Sequence, residues 1–191
     1  MRRDAVDRLA AHFRPDRRHD GHVARLSREL LDGLAAAGLA EPTDADRELL
    51  DAACALHDIG TAIDYADHHK HSRYLILSAG LPGFSPRELL LVALVARWHR
   101  KGDPDPSELG SIARDDDAGR LELLAGIVRM AEQLERARDG SIRSIRVDAA
   151  DGVVRLSAEA GGDPTVPLWA AKRNAGLLER ALGRELEVVR A

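Results

Sequence analysis

Residues 56–60 read Leu56-His57-Asp58-Ile59-Gly60 and place an imidazole and a carboxylate side by side. Apolar residues before this stretch recur at helical spacing, and Gly60 lies where such a helix should end. Two adjacent ligand side chains at a helix end can both reach one divalent cation. Further potential ligands recur at intervals that fit successive helices, and these are His19, His71, His99 and Glu132.

Apolar spacings of three and four predict helices over most of the chain before residue 140. Thr43 with Asp46 and Ser85 with Glu88 are capping-box pairs, which mark two helix starts. The acidic run 115–117 is interpreted as a solvated helix start, with cation binding as the weaker alternative. The predicted bounds are about Pro15 to Ala37, Thr43 to His57, His69 or His71 to Gly80, Ser85 to His99 and Gly119 to Arg138, and the helix over Leu89 to Ala96 should be the most buried.

The pattern changes after Gly140. Asp151-Gly152 lies between two apolar runs of strand character, which predicts a hairpin with a type I′ turn. A helix should follow over about 168–182, with a possible last strand over 185–189. The sequence thus predicts a mainly α protein, with a helical bundle over residues 1–140 and a small α/β appendage over residues 141–191 packed on it.

Composition limits the class of protein. The 191 residues are 45% apolar and 31% charged, which is ordinary for a soluble globular domain. A formal charge of -4 argues against nonspecific nucleic-acid binding. Cys54 is the only cysteine, so an intrachain disulfide is excluded. No stretch approaches the roughly 20 apolar residues of a membrane span, and the N-terminus does not resemble a secretory signal, so a cytoplasmic protein is expected.

Helical phase directs two histidines toward the core. His19 precedes apolar residues by four, seven and eleven positions, and His57 follows apolar residues by four and seven. Both therefore lie on the buried stripe of their helices. A single inward histidine is more often a hydrogen-bonded core residue than a metal ligand. The coincidence of inward groups on separate helices favours a shared metal ion.

Glu132 gives a sharper signal. It follows Val128 by four and Leu124 by eight residues, in the middle of an apolar stripe. A buried ionised carboxylate is costly unless it is paired or coordinated. Pairing with Arg129 or Arg136 on the same helix is one explanation. The other is a cation shared with the histidines, for which imidazole and carboxylate ligands suit Mn, Fe, Zn or a similar ion.

These motifs resemble known proteins. Residues 19–26 and the stretch 56–60 resemble the HD superfamily of metal-dependent phosphohydrolases. Residues 68–76, 95–102 and 141–182 are similar to the C-terminal HD-like region of the exopolyphosphatase/guanosine pentaphosphate phosphatase family. The resemblance covers nearly the whole chain and implies a helical HD fold with a small α/β tail. The actin-like catalytic domain of that family has no counterpart here.

The resemblance also implies a site with one or two divalent metal ions per chain, of Mn, Fe, Zn, Mg or a similar element. The implied metal ligands are His19, His57, Asp58 and Glu132, where the HD pattern usually has Asp, with His71 and His99 available for a second metal. Catalytic roles would fall to Asp58, which can orient a water, and to His71 and His99, which can protonate a leaving group. Nearby cations that could contact phosphate are Lys70, Arg73, Arg97, Arg100 and Lys101.

The favoured function is hydrolysis of a phosphate ester or phosphoanhydride, such as a nucleotide, a guanosine polyphosphate or short polyphosphate. The alternative is a non-catalytic regulatory module that binds nucleotide or polyphosphate and acts through a partner or a homodimer. The Glu at position 132 and the missing catalytic domain favour this alternative. Oxidation at a di-iron site is a third, weaker hypothesis.

Overall fold

The structure is a computed structural model that describes residues 1–13 and 16–191. Its helices are α1 (Arg2–Phe13), α2 (Arg17–Ala36), α3 (Asp44–Leu56), α4 (His68–Ala79), α5 (Pro86–Trp98), α6 (Asp117–Leu134), α7 (Thr165–Arg173) and α8 (Gly176–Leu182). The strands are β1 (Ile142–Ala150), β2 (Val153–Ala160) and β3 (Glu185–Arg190), and two short 3-10 segments span Ile59–Ala62 and Pro106–Ile112. The predicted mainly α fold with a small α/β appendage is confirmed. The predicted helix start at Pro15 lies outside the described residues.

Local capping fixes two of the helix starts as predicted. The Thr43 hydroxyl accepts from the backbone N–H of Asp46, and the Asp46 carboxylate accepts from that of Thr43. Ser85 and Glu88 form the same reciprocal pair at the start of α5. Each pair satisfies two backbone donors that the first turn of a helix leaves free. These starts follow from neighbouring residues alone, which explains why the sequence predicted them.

The core lies where α2, α3 and α4 surround α5 and α6. Residues 91–96 of α5 are fully buried, in line with their apolar sequence. The prediction that this helix is the most buried was wrong, because residues 124–134 of α6 form a longer buried run. The cause is that α6 packs against the bundle on one side and against α7 and α8 on the other.

Residues 2–13 form a helix that the sequence analysis did not predict. Ala5 and Val6 are its buried residues, and Leu9, Ala10 and Phe13 are partly buried against the core. Long-range pairing helps to hold it, since Arg2 donates to Glu88 of α5 at 3.0 Å. No helix in the described part of the chain combines the length and the apolar character needed to cross a membrane.

The start of α6 explains the acidic run 115–117. The Asp117 side chain is fully buried and accepts from Arg87 Nε at 2.7 Å and Arg120 Nη1 at 2.9 Å. It also accepts from the backbone N–H of Arg114 at 2.8 Å. The Asp117 carboxylate is therefore neither solvated nor free for a cation; the bond from Arg87 joins α5 to α6, and Arg120 donates from α6 itself. Asp115 and Asp116 are exposed, as predicted for a solvated helix start.

The appendage is a three-stranded sheet with the order β1-β2-β3. β1 and β2 form the predicted hairpin, and Asp151 and Gly152 have φ values of 51° and 82°, as a type I′ turn requires. The single helix predicted over 168–182 is divided into α7 and α8. Where α7 ends, Asn174 Nδ2 donates to the Ala170 carbonyl at 2.8 Å. The expected last strand is present and pairs parallel to β2. Two helices cross over between these strands, as parallel pairing demands.

The appendage packs closely on α2. The backbone N–H of Ile145 donates to Glu29 of α2 at 2.9 Å. A Cβ atom at Gly33 would lie 2.5 Å from Val147 Cγ2, so only glycine allows this approach of α2 to β1. The sheet therefore braces the helix that carries His19.

Candidate metal centre

Three histidine rings are held by backbone carbonyls three residues earlier in the chain. His57 Nδ1 lies 2.7 Å from the Cys54 carbonyl oxygen. His68 Nδ1 lies 2.9 Å from that of Tyr65, and His99 Nδ1 lies 2.7 Å from that of Ala96. A carbonyl can only accept, so each Nδ1 carries the proton and each neutral ring keeps its lone pair on Nε2. Metal-ligating histidines are commonly oriented in this way. His57 and His99 adopt it because each follows the last residue of a helix, α3 and α5.

Asp58 lies between two groups of potential metal ligands. Within each group, one ligand atom per residue lies within 4.8 Å of all the others. Every member is buried. The first group is His19, Asp20, His57 and Asp58, and the second is Asp58, His68 and His99.

The second group brings three acceptors together. Asp58 Oδ1 lies 3.1 Å from His68 Nε2 and 3.9 Å from His99 Nε2. The two Nε2 atoms lie 3.1 Å apart. Burial, with the nearby charge of His57, lowers the pKa of His99 to about 3, so a proton is a poor bridge between these atoms. A divalent cation suits them, because imidazole and carboxylate are its common protein ligands.

Glu132 adds a third carboxylate beside the two of the first group. Glu132 Oε2 lies 2.8 Å from His19 Nε2 and 3.4 Å from His57 Nε2, and Asp58 Oδ1 lies 3.7 Å from His57 Nε2. Burial disfavours a charged His57, but Asp58, Glu132 and Asp20 outweigh it and raise the pKa of His57 to about 10. The site therefore favours positive charge at this point. His57 Nε2, Asp58 Oδ1 and Asp20 Oδ1 are buried without a hydrogen-bond partner, as expected of metal ligands.

Gly60 sets the position of α4 beside this centre. A Cβ atom there would lie 2.1 Å from the His68 carbonyl oxygen and 2.5 Å from the Ser72 nitrogen. Ser72 Oγ in turn accepts from the Gly60 N–H at 2.9 Å and donates to the His57 carbonyl at 2.6 Å. Gly60 is therefore needed for the close approach that places His68 next to Asp58. The expectation that Gly60 ends the preceding helix was wrong, since α3 ends at Leu56 and Gly60 lies inside the 3-10 segment Ile59–Ala62.

Comparison with known families gives a match over most of the chain. Residues 1–161 match the model of the Ppx/GppA phosphatase, domain III. The chain belongs to the Ppx/GppA phosphatase family. The match covers the whole helical bundle and the first two strands, as the similarity of residues 68–76 and 95–102 implied.

Two curated relatives carry the name guanosine-5'-triphosphate,3'-diphosphate pyrophosphatase. That of Pseudoalteromonas translucida (strain TAC 125) is 31% identical over 129 residues, which are 65% of this chain and 24% of the relative. That of Vibrio vulnificus (strain YJ016) is 27% identical over 174 residues, which are 90% of this chain and 34% of the relative. The chain thus spans about a quarter to a third of the length of these Ppx/GppA relatives.

The predicted ligand His71 is not in either group of this Ppx/GppA domain. It is half-buried, and its Cβ lies against Gly60. His68, one turn earlier on α4, lies beside Asp58 instead. The sequence 68–71 contains three histidines, so the spacing of ligands alone left this choice open.

The predicted phosphate-contacting cations mostly have other partners. Arg100 is the closest of them to the centre, with Nη1 3.5 Å from His68 Nδ1, and it donates to the carbonyls of Tyr65 and Ala66. Lys70 and Lys101 lie on the rim, both near the Asp67 carboxylate. The remaining two make these contacts: Arg73 pairs with Glu108 at 2.8 Å, and Arg97 stacks on the Trp98 ring with its guanidinium carbon 4.2 Å from the centroid.

Glu132 has the imidazole partners described above and no arginine partner on its own helix among the described contacts. Arg129 instead donates to the carbonyls of Trp98 and Gly102. Burial favours protonation of Glu132, but the hydrogen bond with His19 and the nearby charge of His57 hold its pKa well below the usual range. The alternative explanation of Glu132 by pairing with Arg129 is therefore not supported.

Besides His68, sequence reasoning missed two residues at the centre. Arg138 Nη2 donates to Asp58 Oδ2 at 2.7 Å. α6 ends at Leu134 rather than at Arg138, which leaves Arg138 free to turn back with a φ of 54°. Asp20 completes the first group, and burial raises its pKa to about 6. The signal for Asp20 was its place beside His19, whereas nothing local pointed to Arg138.

Proposed function

We propose that this domain is a metal-dependent phosphohydrolase with a two-part metal centre shared through Asp58. His19, His57, Asp58 and Glu132 would hold one divalent cation, with Asp20 as a further donor. Asp58, His68 and His99 would hold a second. The single observation that carries the proposal is the convergence of Asp58 Oδ1, His68 Nε2 and His99 Nε2, three acceptors within 3.9 Å of one another.

The chemistry follows from this donor set. A divalent cation held there by these residues would lower the pKa of a water and polarise a phosphoryl oxygen, which are the two needs of phosphate hydrolysis. Asp58 orients that water, because its Oδ2 is fixed by Arg138 and its Oδ1 faces the histidines. Buried carbonyl bonds hold the histidine rings still, so little reorganisation is needed.

The proposed substrate is a phosphate ester or phosphoanhydride, of the nucleotide, guanosine polyphosphate or short polyphosphate type. Support comes from the names of the two relatives, which refer to a guanosine polyphosphate. Arg138 would contact the reacting phosphoryl group, since its guanidinium lies at Asp58 and offers several further N–H donors. Arg100 would contact a neighbouring phosphate, with Lys70 and Lys101 attracting the anion at the rim.

A non-catalytic module that binds nucleotide or polyphosphate is the second candidate. It is favoured by the length of the relatives, of which the chain covers only 24% and 34%. Their activity can therefore depend on parts that have no counterpart in this alignment. Such a module would need the anion contacts of Arg138 and Arg100 but no turnover.

The division of labour along the chain is also part of the proposal. Residues 1–140 would form the metal-binding unit and residues 141–191 an appendage that braces it. The support is that each ligand lies before residue 140, while β1 contacts α2 and α8 contacts α6. A cytoplasmic location and a homodimer stay predictions.

The test is metal content by elemental analysis of chain purified without chelator or His-tag, followed by phosphate release from GTP, guanosine polyphosphate and polyphosphate. One or two equivalents of Mn, Fe or Zn with metal-dependent release would support the hydrolase. Ligand binding without release would support the module. A chain that takes up none of Mn, Fe, Zn or Mg would contradict the metal centre itself, and bound iron with a near-ultraviolet absorption band would direct attention to oxidation.

A further inference from the structure

The ring of Tyr65 lies beside the second group of potential metal ligands. Its centroid is 5.6 Å from that of the His68 ring, and the two rings are tilted by 43°. His68 Nε2 in turn lies 3.1 Å from Asp58 Oδ1. A single histidine ring therefore separates the Tyr65 ring from the carboxylate that the two groups share.

Contacts on two sides hold Tyr65 in place. Its carbonyl oxygen lies 2.9 Å from His68 Nδ1 and accepts from Arg100 Nη1 at 3.1 Å. The guanidinium carbon of Arg100 also lies over the tyrosine ring, 5.7 Å from its centroid, which is within the range of a cation–π contact. The main chain and one face of the ring are therefore supported, and the ring is already oriented before a ligand binds.

Most of the Tyr65 ring is nevertheless open to solvent. Tyr65 is 61% exposed, whereas Asp58 and His68 next to it are buried. A flat ligand that stacked on this ring would remove apolar surface from water. Tyr74 and Trp169 are the other exposed tyrosine and tryptophan rings of the described chain, and neither has a described contact with the proposed metal ligands.

We propose that Tyr65 is the stacking surface for the base of a nucleoside phosphate whose phosphates lie at the Asp58 centre. This base subsite rests on the proposed function, because it uses the proposed metal centre, and it selects nucleotides over inorganic polyphosphate. Any base can stack, since each has a π face, so the subsite does not single out one base. Inorganic polyphosphate has no ring and gains nothing from an exposed tyrosine.

The probes are two ligands whose bridge between phosphorus atoms cannot be hydrolysed. One is the methylene-bridged analogue of GDP, and the other is methylenediphosphonate, which has the same two phosphorus groups without the nucleoside. Calorimetry on the full chain, with its metal as purified, gives the two dissociation constants. The natural chain should bind the GDP analogue more tightly by about fivefold to a hundredfold, the usual worth of one base stacked on an aromatic ring.

Tyr65→Ala should lose this difference, while its affinity for methylenediphosphonate stays that of the natural chain. The carbonyl contacts of Tyr65 are kept in this variant, because they belong to the main chain. Tyr65→Leu is the second variant, and it should lose the difference as well because it keeps apolar bulk without a π face. Tyr65→Phe should bind both probes as the natural chain does. Tyr74→Ala, at a 64% exposed position on α4, is the matched control and should change neither affinity.

Three results would overturn the base subsite. An equal loss of affinity for both probes in Tyr65→Ala would mean that the tyrosine only supports the centre. Unchanged binding of the GDP analogue by Tyr65→Ala and Tyr65→Leu would mean that the base lies elsewhere. Failure of the natural chain to bind the GDP analogue more tightly than methylenediphosphonate would mean that the nucleoside is not recognised.

Phosphate release from GDP, measured on the same preparations, separates the base subsite from the proposed hydrolase. Metal-dependent release together with unchanged binding of the GDP analogue by Tyr65→Ala would keep the hydrolase and reject the subsite. Binding of the GDP analogue that depends on Tyr65, without any release, would reject the hydrolase and keep the subsite in a binding module.

Discussion

Arg138 Nη2 donates a hydrogen bond to Asp58 Oδ2 at 2.7 Å across a separation of 80 residues. It is the contact that ties the loop after α6 to the metal centre. Because Asp58 keeps Oδ1 for the histidines, Arg138 can hold the carboxylate and still offer donors to a phosphate. Arg138→Gln should therefore lower kcat/KM by about tenfold to a hundredfold while the bound metal is retained.

Arg138→Lys should lower kcat/KM less than Arg138→Gln does, since lysine provides the charge without the planar pair of donors. Arg136 is an exposed arginine on the same loop. Arg136→Gln is therefore the control and should change neither kcat/KM nor the metal content. Steady-state kinetics and elemental analysis on the same preparations provide the measurement. Loss of metal from Arg138→Gln in proportion to activity would show that this arginine acts only by supporting the centre.

Asp58→Asn should remove metal from both groups, because Asp58 is the one residue that they share. An amide keeps the shape but loses the charge that a cation requires. We expect less than about a tenth of the natural metal content, with an unchanged circular dichroism spectrum. Asp148→Asn, on the exposed part of β1, is the matched control. Full metal occupancy in Asp58→Asn would exclude the shared centre.

His68 and His71, two of the three histidines of α4, provide a direct comparison. His68→Asn should lose one metal equivalent, because His68 Nε2 lies 3.1 Å from both Asp58 Oδ1 and His99 Nε2. His71→Asn should keep the full amount, since His71 is in neither group. Metal content and affinity measured by calorimetry separate the two. The reverse result would restore the ligand that sequence spacing favoured.

Glu132→Asp tests whether the longer side chain is required. Glu132 Oε2 reaches His19 Nε2 at 2.8 Å, and removal of one methylene would withdraw the carboxylate by about 1.5 Å, one C–C bond. Metal affinity at the first group should fall about tenfold, the lower end of the effect of a lost support. Glu185→Asp at the exposed start of β3 is the control. Tighter binding in Glu132→Asp would mean that the backbone can adapt to the residue usual in HD proteins.

Stability should depend on the Asp117 carboxylate. Burial disfavours its charge, but bonds from Arg87, the Arg114 N–H and Arg120 outweigh it and lower the pKa of Asp117 below its usual value. A depressed pKa in the folded state stabilises the fold above the unfolded pKa of about 3.9, and this stabilisation is lost as the pH falls through the folded pKa. Asp117→Asn should cost about 3–5 kcal/mol at pH 7, since it breaks a buried ion pair.

Urea unfolding at pH 7 and at successively lower pH checks this sign. The difference in the free energy of unfolding between the natural chain and Asp117→Asn should have its full value at pH 7 and should shrink below about pH 4. Asp116→Asn, whose side chain is 62% exposed, should change the free energy of unfolding by less than about 1 kcal/mol. A difference for Asp117→Asn that stays constant with pH would mean that charge is not its cause.

The candidate site could be predicted only in part. His19, His57 and Glu132 were placed correctly in the core because helical phase alone decides which face a residue occupies. The choice between His68 and His71 depended on the residue at which α4 begins and on the fit of Gly60 beneath it.

The sequence by itself determined the features that arise from near neighbours. The capping pairs at Thr43 and Ser85 and the turn at Asp151-Gly152 follow from local hydrogen bonds and allowed backbone angles. The tertiary structure alone decided that Arg138 reaches Asp58 and that His68 faces His99. The physical reason is that such contacts depend on where helices end and how closely they pack. Small shifts of a helix end, summed over distant elements, move a side chain by more than the reach of a hydrogen bond.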